Sequence, residues 1–195
     1  TVRGPRVITV TALGFVEPAL ALRRSGARPG DLLYVSGWPG EAGAGLEALR
    51  GTAVPADDAL VHRYRYAEPR LALGRALRGR ASAAMDVSDG LYGDLRKLCA
   101  ASGVGARLEL ERLPVSGELA RRCSRADSER CVLFGGDDYE LLFTVPPAAA
   151  AALEAEWSAT LPLHRIGRIE PPSGVRCVRN GQPEELDGEG YDHFA

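Results

Sequence analysis

The chain has 195 residues, of which 45% are hydrophobic and 26% charged, enough apolar material for one generous domain. A net charge of −2 and a pI near 6.0 argue against nucleic acid or an anionic membrane surface as the partner. No apolar run is long enough to span a bilayer, and Cys99, Cys123, Cys131 and Cys177 stand at no metal-ligand spacing.

In chain order, Thr1-Val2-Arg3-Gly4-Pro5 lacks a methionine and any targeting pattern and reads as an internal cut, with isolated thiols that fit a reducing cytoplasm. Alternating β-branched residues from Arg6 to Leu13 predict a strand, with residues 1–13 leading into the domain. A short helix is expected from Ala19 to Ser25, ended by Gly26, and a second strand from Asp31 to Ser36. Ala42, Leu46 and Leu49 space a helix over Glu41–Arg50, stopped by Gly51. Helical stretches follow from Pro55 to Tyr66 and from Pro69 to Arg78.

The apolar run from Ala81 to Val87 hands over at Ser88-Asp89-Gly90 to a helix from Leu91 to Ala101, with Leu91, Leu95 and Leu98 on one face. Gly103 stops that helix, and Ala106 to Leu110 is a strand. Helix and loop are expected from Pro114 to Arg130, a strand from Glu140 to Val145, and a helix begun at Pro146-Pro147 through the alanines to Trp157. Two short strands, His164–Ile169 and Val175–Val178, precede an Asn180-Gly181 turn. Interleaved strands and helices make the class α/β or α+β, a sheet covered by helices.

Three groups of residues carry candidate chemistry. Asp86 and Asp89 stand where an apolar strand meets the start of a helix, a position where orphan N–H groups and the helix dipole favour anions. Carboxylates there suit magnesium, which lets them hold phosphates, yet Ser88 or Asp89 as a simple helix cap explains the same residues equally well. The second group, Gly135-Gly136-Asp137-Asp138-Tyr139-Glu140, is either a charged turn with Asp138 capping and Glu140 solvated, or a dense polar site beside a buried strand. The third, Arg23-Arg24, is suited both to a helix C-terminus and to a phosphate. His62, His164 and His193 are isolated and fit no zinc or nucleophile motif. Lys97 is the sole lysine among 24 basic residues, which reads as coding bias.

Six segments stand in order along nearly the whole chain: Arg3-Gly4-Pro5, Ile8-Thr9-Val10-Thr11-Ala12-Leu13-Gly14, Arg24-Ser25-Gly26-Ala27-Arg28-Pro29-Gly30-Asp31, Asp86-Val87-Ser88-Asp89-Gly90-Leu91, Gly135 through Thr144, and Gly190-Tyr191-Asp192-His193-Phe194. Together they resemble the thiamine-monophosphate kinases. The resemblance implies an α+β domain, a mixed sheet covered by helices, as in the C-terminal half of aminoimidazole ribonucleotide synthetase and its relatives. It also implies ATP-dependent phosphorylation of thiamine monophosphate to thiamine diphosphate by direct in-line transfer.

Carried over by position, Asp86 and Asp89 match magnesium ligands, Ser88 and Arg24 match ATP contacts, and Asp137 and Tyr191 match positions near the thiamine phosphate. Position 137 usually holds glutamate in this family, and aspartate reaches less far. The family's N-terminal ATP- and magnesium-binding domain, which pairs across a homodimer, is expected to lie upstream of Thr1, leaving this part inactive alone. A sister enzyme acting on another phosphorylated or carbamoylated substrate, and a non-catalytic ligand-binding domain, are the alternatives.

Overall fold

A computed structural model describes residues 9–52, 54–55, 57–171, 174–186 and 188. Its centre is a seven-stranded mixed sheet, and the strands are β1 (Leu32–Ser36), β2 (Ala83–Val87), β3 (Gly105–Glu109), β4 (Glu140–Val145), β5 (Leu163–Glu170), β6 (Gly174–Arg179) and β7 (Gln182–Pro183). The spatial order is β2-β4-β1-β5-β3-β6-β7; the β3/β6 pair is parallel and the other pairs are antiparallel. The α+β class with a mixed sheet is therefore as the resemblance implied, and it settles the choice between α/β and α+β that the pattern of elements left open.

The helices are α1 (Glu41–Arg50), α2 (Asp58–Arg65), α3 (Leu71–Ala76), α4 (Leu91–Ser102), α5 (Gly117–Arg122), α6 (Arg125–Phe134) and α7 (Pro147–Trp157). Leu33 and Val35 on one face of β1 pack with Ala83, Val87, Leu108 and Leu142 against Leu60 of α2, Leu91, Leu95 and Leu98 of α4, and Val132 of α6. On the other face, Tyr34, Ala84, Phe143 and Val145 pack against Leu73 of α3 and Leu153 of α7. Tyr34 lies opposite Phe143 in the β1/β4 register, and their rings stack at 5.5 Å. Each fully buried leucine of this kind contributes roughly 1.5–3 kcal/mol of transfer free energy. Cys99, Cys131 and Cys177 are buried among these residues, and burial pushes their thiols up to about 11, about 12 and about 11 respectively. They behave as small apolar groups.

Most element boundaries fall close to where periodicity put them, because local stop signals coincide with the tertiary ones. Gly51 (φ 64°) and Gly103 (φ 67°) end α1 and α4 in the left-handed conformation that glycine adopts freely. Asp57 starts α2 by accepting from the N–H groups of Ala59 and Leu60 at 2.9 and 3.0 Å.

Two expectations near the start need correction. Residues 9–13 of the expected first strand pair with no strand and are exposed, while Arg6, Val7 and Ile8 lie outside the described residues. The expected helix from Ala19 to Ser25 is a single 3-10 turn, Pro18–Leu20, followed by extended chain. The physical reason is the open edge of β2: Ala84 N–H donates to the Arg23 carbonyl at 2.8 Å, and unpaired edge groups outcompete a weak local helix. Among the described residues no helix is long and apolar enough to cross a membrane.

Candidate active site

The turn from β2 into α4 is shaped by a buried carboxylate. Asp94, in the first turn of α4, is fully buried, and its Oδ2 accepts the N–H groups of Ser88 at 2.9 Å and Asp89 at 3.0 Å. Its Oδ1 receives Lys97 Nζ at 2.9 Å, and the same ammonium is paired with Asp89. Burial works against the charge on Lys97, but hydrogen bonds to Asp89 and Asp94 outweigh it and raise its pKa. The N-cap of α4 is Gly90 at φ 101°, with no side chain bonded to the helix start. Capping therefore does not account for Ser88 and Asp89, and both side chains remain half-exposed beside the positive end of α4.

The segment after α6 is fastened to this turn by its backbone. Asp137 N–H donates to the Ser88 carbonyl at 2.9 Å and Tyr139 N–H to the Val87 carbonyl at 2.8 Å. Asp137 (φ 63°) and Tyr139 (φ 53°) both sit in the left-handed region, a strain of about 1–2 kcal/mol each that these two bonds help to hold. Gly136 is required where the strands of chain cross, since a Cβ there would stand 2.5 Å from the Ser88 carbonyl oxygen. Together the turn at Ser88-Asp89, the segment Arg130–Asp137 and the α1 residues Gly43, Leu46 and Glu47 enclose a cleft of about 410 Å³. That volume suits a small-molecule ligand. Arg130 on its wall is held in a two-pronged pair with Glu47 at 2.7 and 2.9 Å, while Arg50 lines the cleft with no ion-pair partner among the described residues.

The acids after Asp137 have structural work. Asp138 is buried and caps α1 from across the chain, its carboxylate accepting Gly40 N–H at 2.7 Å and Ala42 N–H at 3.1 Å. Burial pushes its pKa up from 3.8 to about 7 despite those two donors. Between these values the unfolded chain has lost this proton and the folded chain keeps it, so the group's contribution to stability is full below 3.8 and is lost as pH rises to about 7. Thermal midpoints taken from about pH 4 to about pH 8 should therefore fall more steeply for the parent chain than for Asp138→Asn; parallel curves would contradict it. Glu140, read above as solvated if the segment is only a turn, is instead fully buried and bound by Arg70, Arg63 and Ser36.

The sequence-derived site residues are thus only partly assembled. Ser88, Asp89 and Asp137 line one cleft. Asp86, on β2, shares the sheet face of Ala84 rather than that of Val87; it is exposed, and its carboxylate takes no hydrogen bond or ion pair from any described residue. It is nevertheless near the turn: burial, then Asp137, then Asp86 and Asp89 together raise the pKa of Tyr139. Arg24 is exposed and away from the cleft, its carbonyl accepting from Ser102 at the far end of α4, a helix length of about 18 Å from the turn. Tyr191 lies outside the described residues. Sequence reasoning missed Asp94 and Lys97. The available clue was an acid at position 94 within the apolar stripe of Leu91, Leu95 and Leu98.

Residues 28–179 match the family model described as AIR synthase related protein, C-terminal domain. The chain belongs to this family. Among AIR synthase related proteins it is similar to a thiamine-monophosphate kinase of Escherichia coli strain K12, at 43% identity over 201 aligned positions covering 100% of this chain and 62% of that protein. The chain therefore spans less than two thirds of that relative's length. Its fold resembles the crystal structure of thiamine-monophosphate kinase from Stenotrophomonas maltophilia K279a, with a TM-score of 0.78 and 39% identity, covering 87% of this chain and 56% of that one. A structure of AaThiL complexed with AMPPCP and TMP is similar at a TM-score of 0.73 and 35% identity, over 89% of this chain and 54% of that one.

Proposed function

We propose that this domain supplies part of the active site of a thiamine-monophosphate kinase, which passes the γ-phosphoryl group of ATP to the phosphate of thiamine monophosphate. The observation that carries the reading is the juxtaposition of the uncapped start of α4, the Ser88-Asp89 turn and Asp137 around one small-molecule-sized cleft. The likeness to kinases of this name, one relative being complexed with AMPPCP and TMP, supports it.

In this reading transfer is direct and in line, because a phosphate oxygen is already a nucleophile; of the described residues lining the cleft, Cys131 is held as a thiol, burial raising it to about 12. Catalysis is then positioning and charge neutralisation. Asp86 and Asp89 are the proposed magnesium ligands. Their hard carboxylate oxygens fit that ion, and the exposed Asp86 carboxylate has no ion-pair partner among the described residues. When bound, magnesium neutralises charge on the phosphates. Among the described residues no group of three or more His, Cys, Asp or Glu side chains could hold a metal, so these two acids form an incomplete set. We assign the remaining ligands to the nucleotide and to the part of the relatives that this chain does not span.

Ser88 and Arg24 contact the nucleotide in this reading, and since Arg24 stands a helix length from the turn, the two would touch different parts of an extended nucleotide. Asp137 and Tyr191 contact thiamine monophosphate in this reading, the aspartate reaching less far than the glutamate usual at that position. Residues 1–13 are the link into this C-terminal domain, and the full-length protein is a cytoplasmic homodimer.

The test is formation of thiamine diphosphate by the full-length protein. Product that depends jointly on thiamine monophosphate, ATP and magnesium is expected. A folded protein that binds ATP but makes no product points to a sister substrate, and one that binds no ATP is a non-catalytic ligand-binding domain.

A further inference from the structure

Four groups at the start of α4 form a closed circuit. The buried Asp94 carboxylate holds two backbone N–H groups, those of Ser88 and Asp89, on one oxygen, and Lys97 on the other. Lys97 then returns to the Asp89 side chain, whose backbone Asp94 already holds. The exposures follow the roles: the side chain of Asp94 is 1% exposed, that of Asp89 22% and that of Lys97 41%. One carboxylate is thus a fixed structural anchor, while the other is open to solvent and balanced by a cation on a flexible stem.

The sole lysine of the chain occupies this position, in a protein that uses arginine at every other basic site. An ammonium suits the task better than a guanidinium, being a compact charge able to bridge two carboxylates and to withdraw without breaking a planar two-pronged pair. No other element brings a cation into hydrogen-bond or ion-pair contact with Asp94 among the described residues. A bare buried aspartate next to Asp89 would repel it; Lys97 offsets that repulsion in the free protein, a role a bound cation takes over, while the two N–H groups on Asp94 keep the turn.

We propose that Asp94 is a positioning residue that presets the Ser88-Asp89 turn, and that Lys97 is a built-in counter-ion which occupies Asp89 until a divalent cation with its nucleotide displaces it. The proposal rests on the reading of Asp89 as a metal ligand. It predicts effects of opposite sign from the two halves of the clasp. Losing Lys97 removes a competitor for Asp89, whereas losing the charge of Asp94 loosens the turn and leaves Lys97 to Asp89 alone. A merely structural role would weaken binding in both cases.

The experiment is binding of Mn²⁺, followed by electron paramagnetic resonance, to the full-length protein with AMPPCP present, alongside thermal midpoints. Lys97→Met should bind Mn²⁺ about threefold more tightly, the worth of one partly exposed ion pair. Lys97→Arg should return towards the parent value. Asp94→Asn should bind about tenfold or more weakly, the usual effect of removing a group that orients a metal ligand. Unchanged or weaker binding by Lys97→Met overturns the counter-ion, and parent-like binding by a folded Asp94→Asn overturns the positioning role. If Asp94→Asn does not fold, the sign of the Lys97→Met change still decides. A parent protein that binds no Mn²⁺ under these conditions overturns the metal-ligand reading itself, and the clasp with it.

Discussion

Turnover of the full-length protein is expected to fall about a hundredfold or more on Asp86→Ala, because a lost magnesium ligand forfeits several kcal/mol of charge stabilisation on the transferred phosphoryl group. Asp86 is the cleaner of the two acids to change. Asp89 is tied to Lys97 and, through it, to Asp94, so its removal frees an ammonium and disturbs the turn together. Asp86 is exposed on the edge strand, and its carboxylate takes no hydrogen bond or ion pair from any described residue. Its replacement should leave stability within about 0.5 kcal/mol of the parent, the usual range for surface substitutions. The comparison to make is thiamine diphosphate formation against magnesium concentration, with the thermal midpoint measured on the same sample. Near-parent activity at limiting magnesium would remove Asp86 from the metal site, and a large drop in the midpoint would give it a structural role instead.

The opposite profile is expected at Glu140. This carboxylate is fully buried and receives Arg70 Nε at 2.7 Å and Nη2 at 2.5 Å, Arg63 Nη2 at 3.3 Å and the Ser36 hydroxyl at 2.6 Å. Arg63 belongs to α2, which packs on one face of the sheet, and Arg70 precedes α3, which packs on the other. Glu140 therefore secures the chain where it passes around the end of the sheet. Gly37 leaves the space it needs, since a Cβ there would stand 2.1 Å from the carboxylate. Glu140→Ala leaves two guanidinium groups without their shared partner, which costs about 3–5 kcal/mol and lowers the thermal midpoint on the order of 10 °C. Calorimetry of the variant checks this. A midpoint within about 2 °C of the parent would mean that water and Glu68, which already touches both arginines, replace the lost acid.

How much of this was legible beforehand depended on whether the deciding interaction was local. The strand Glu140–Val145 and the helices Glu41–Arg50 and Leu91–Ser102 could be read closely because apolar periodicity and a glycine stop lie within each segment. Ala19 to Ser25 could not, because its backbone partner is Ala84, far along the chain on an open sheet edge. The same division runs through the site. The residue types of the Ser88-Asp89 turn and the Asp137 segment made them candidates for phosphate and metal chemistry, with a helix cap and a charged turn equally open. Only the fold showed that their backbones are bonded to each other across one cleft.

Sequence by itself marked the acidic turn at the start of α4 and, through ordered segments that resemble one family along nearly the whole chain, pointed to that family and its α+β class. Tertiary structure decided what each acid does. Asp94, whose place within an apolar stripe hinted only at burial, is the anchor of the turn; Asp138 caps a helix formed by residues nearly a hundred positions earlier; and Glu140 is a buried hub rather than a solvated end. A carboxylate's role is set by burial and by the donors around it, and both come from parts of the chain that meet only when it folds.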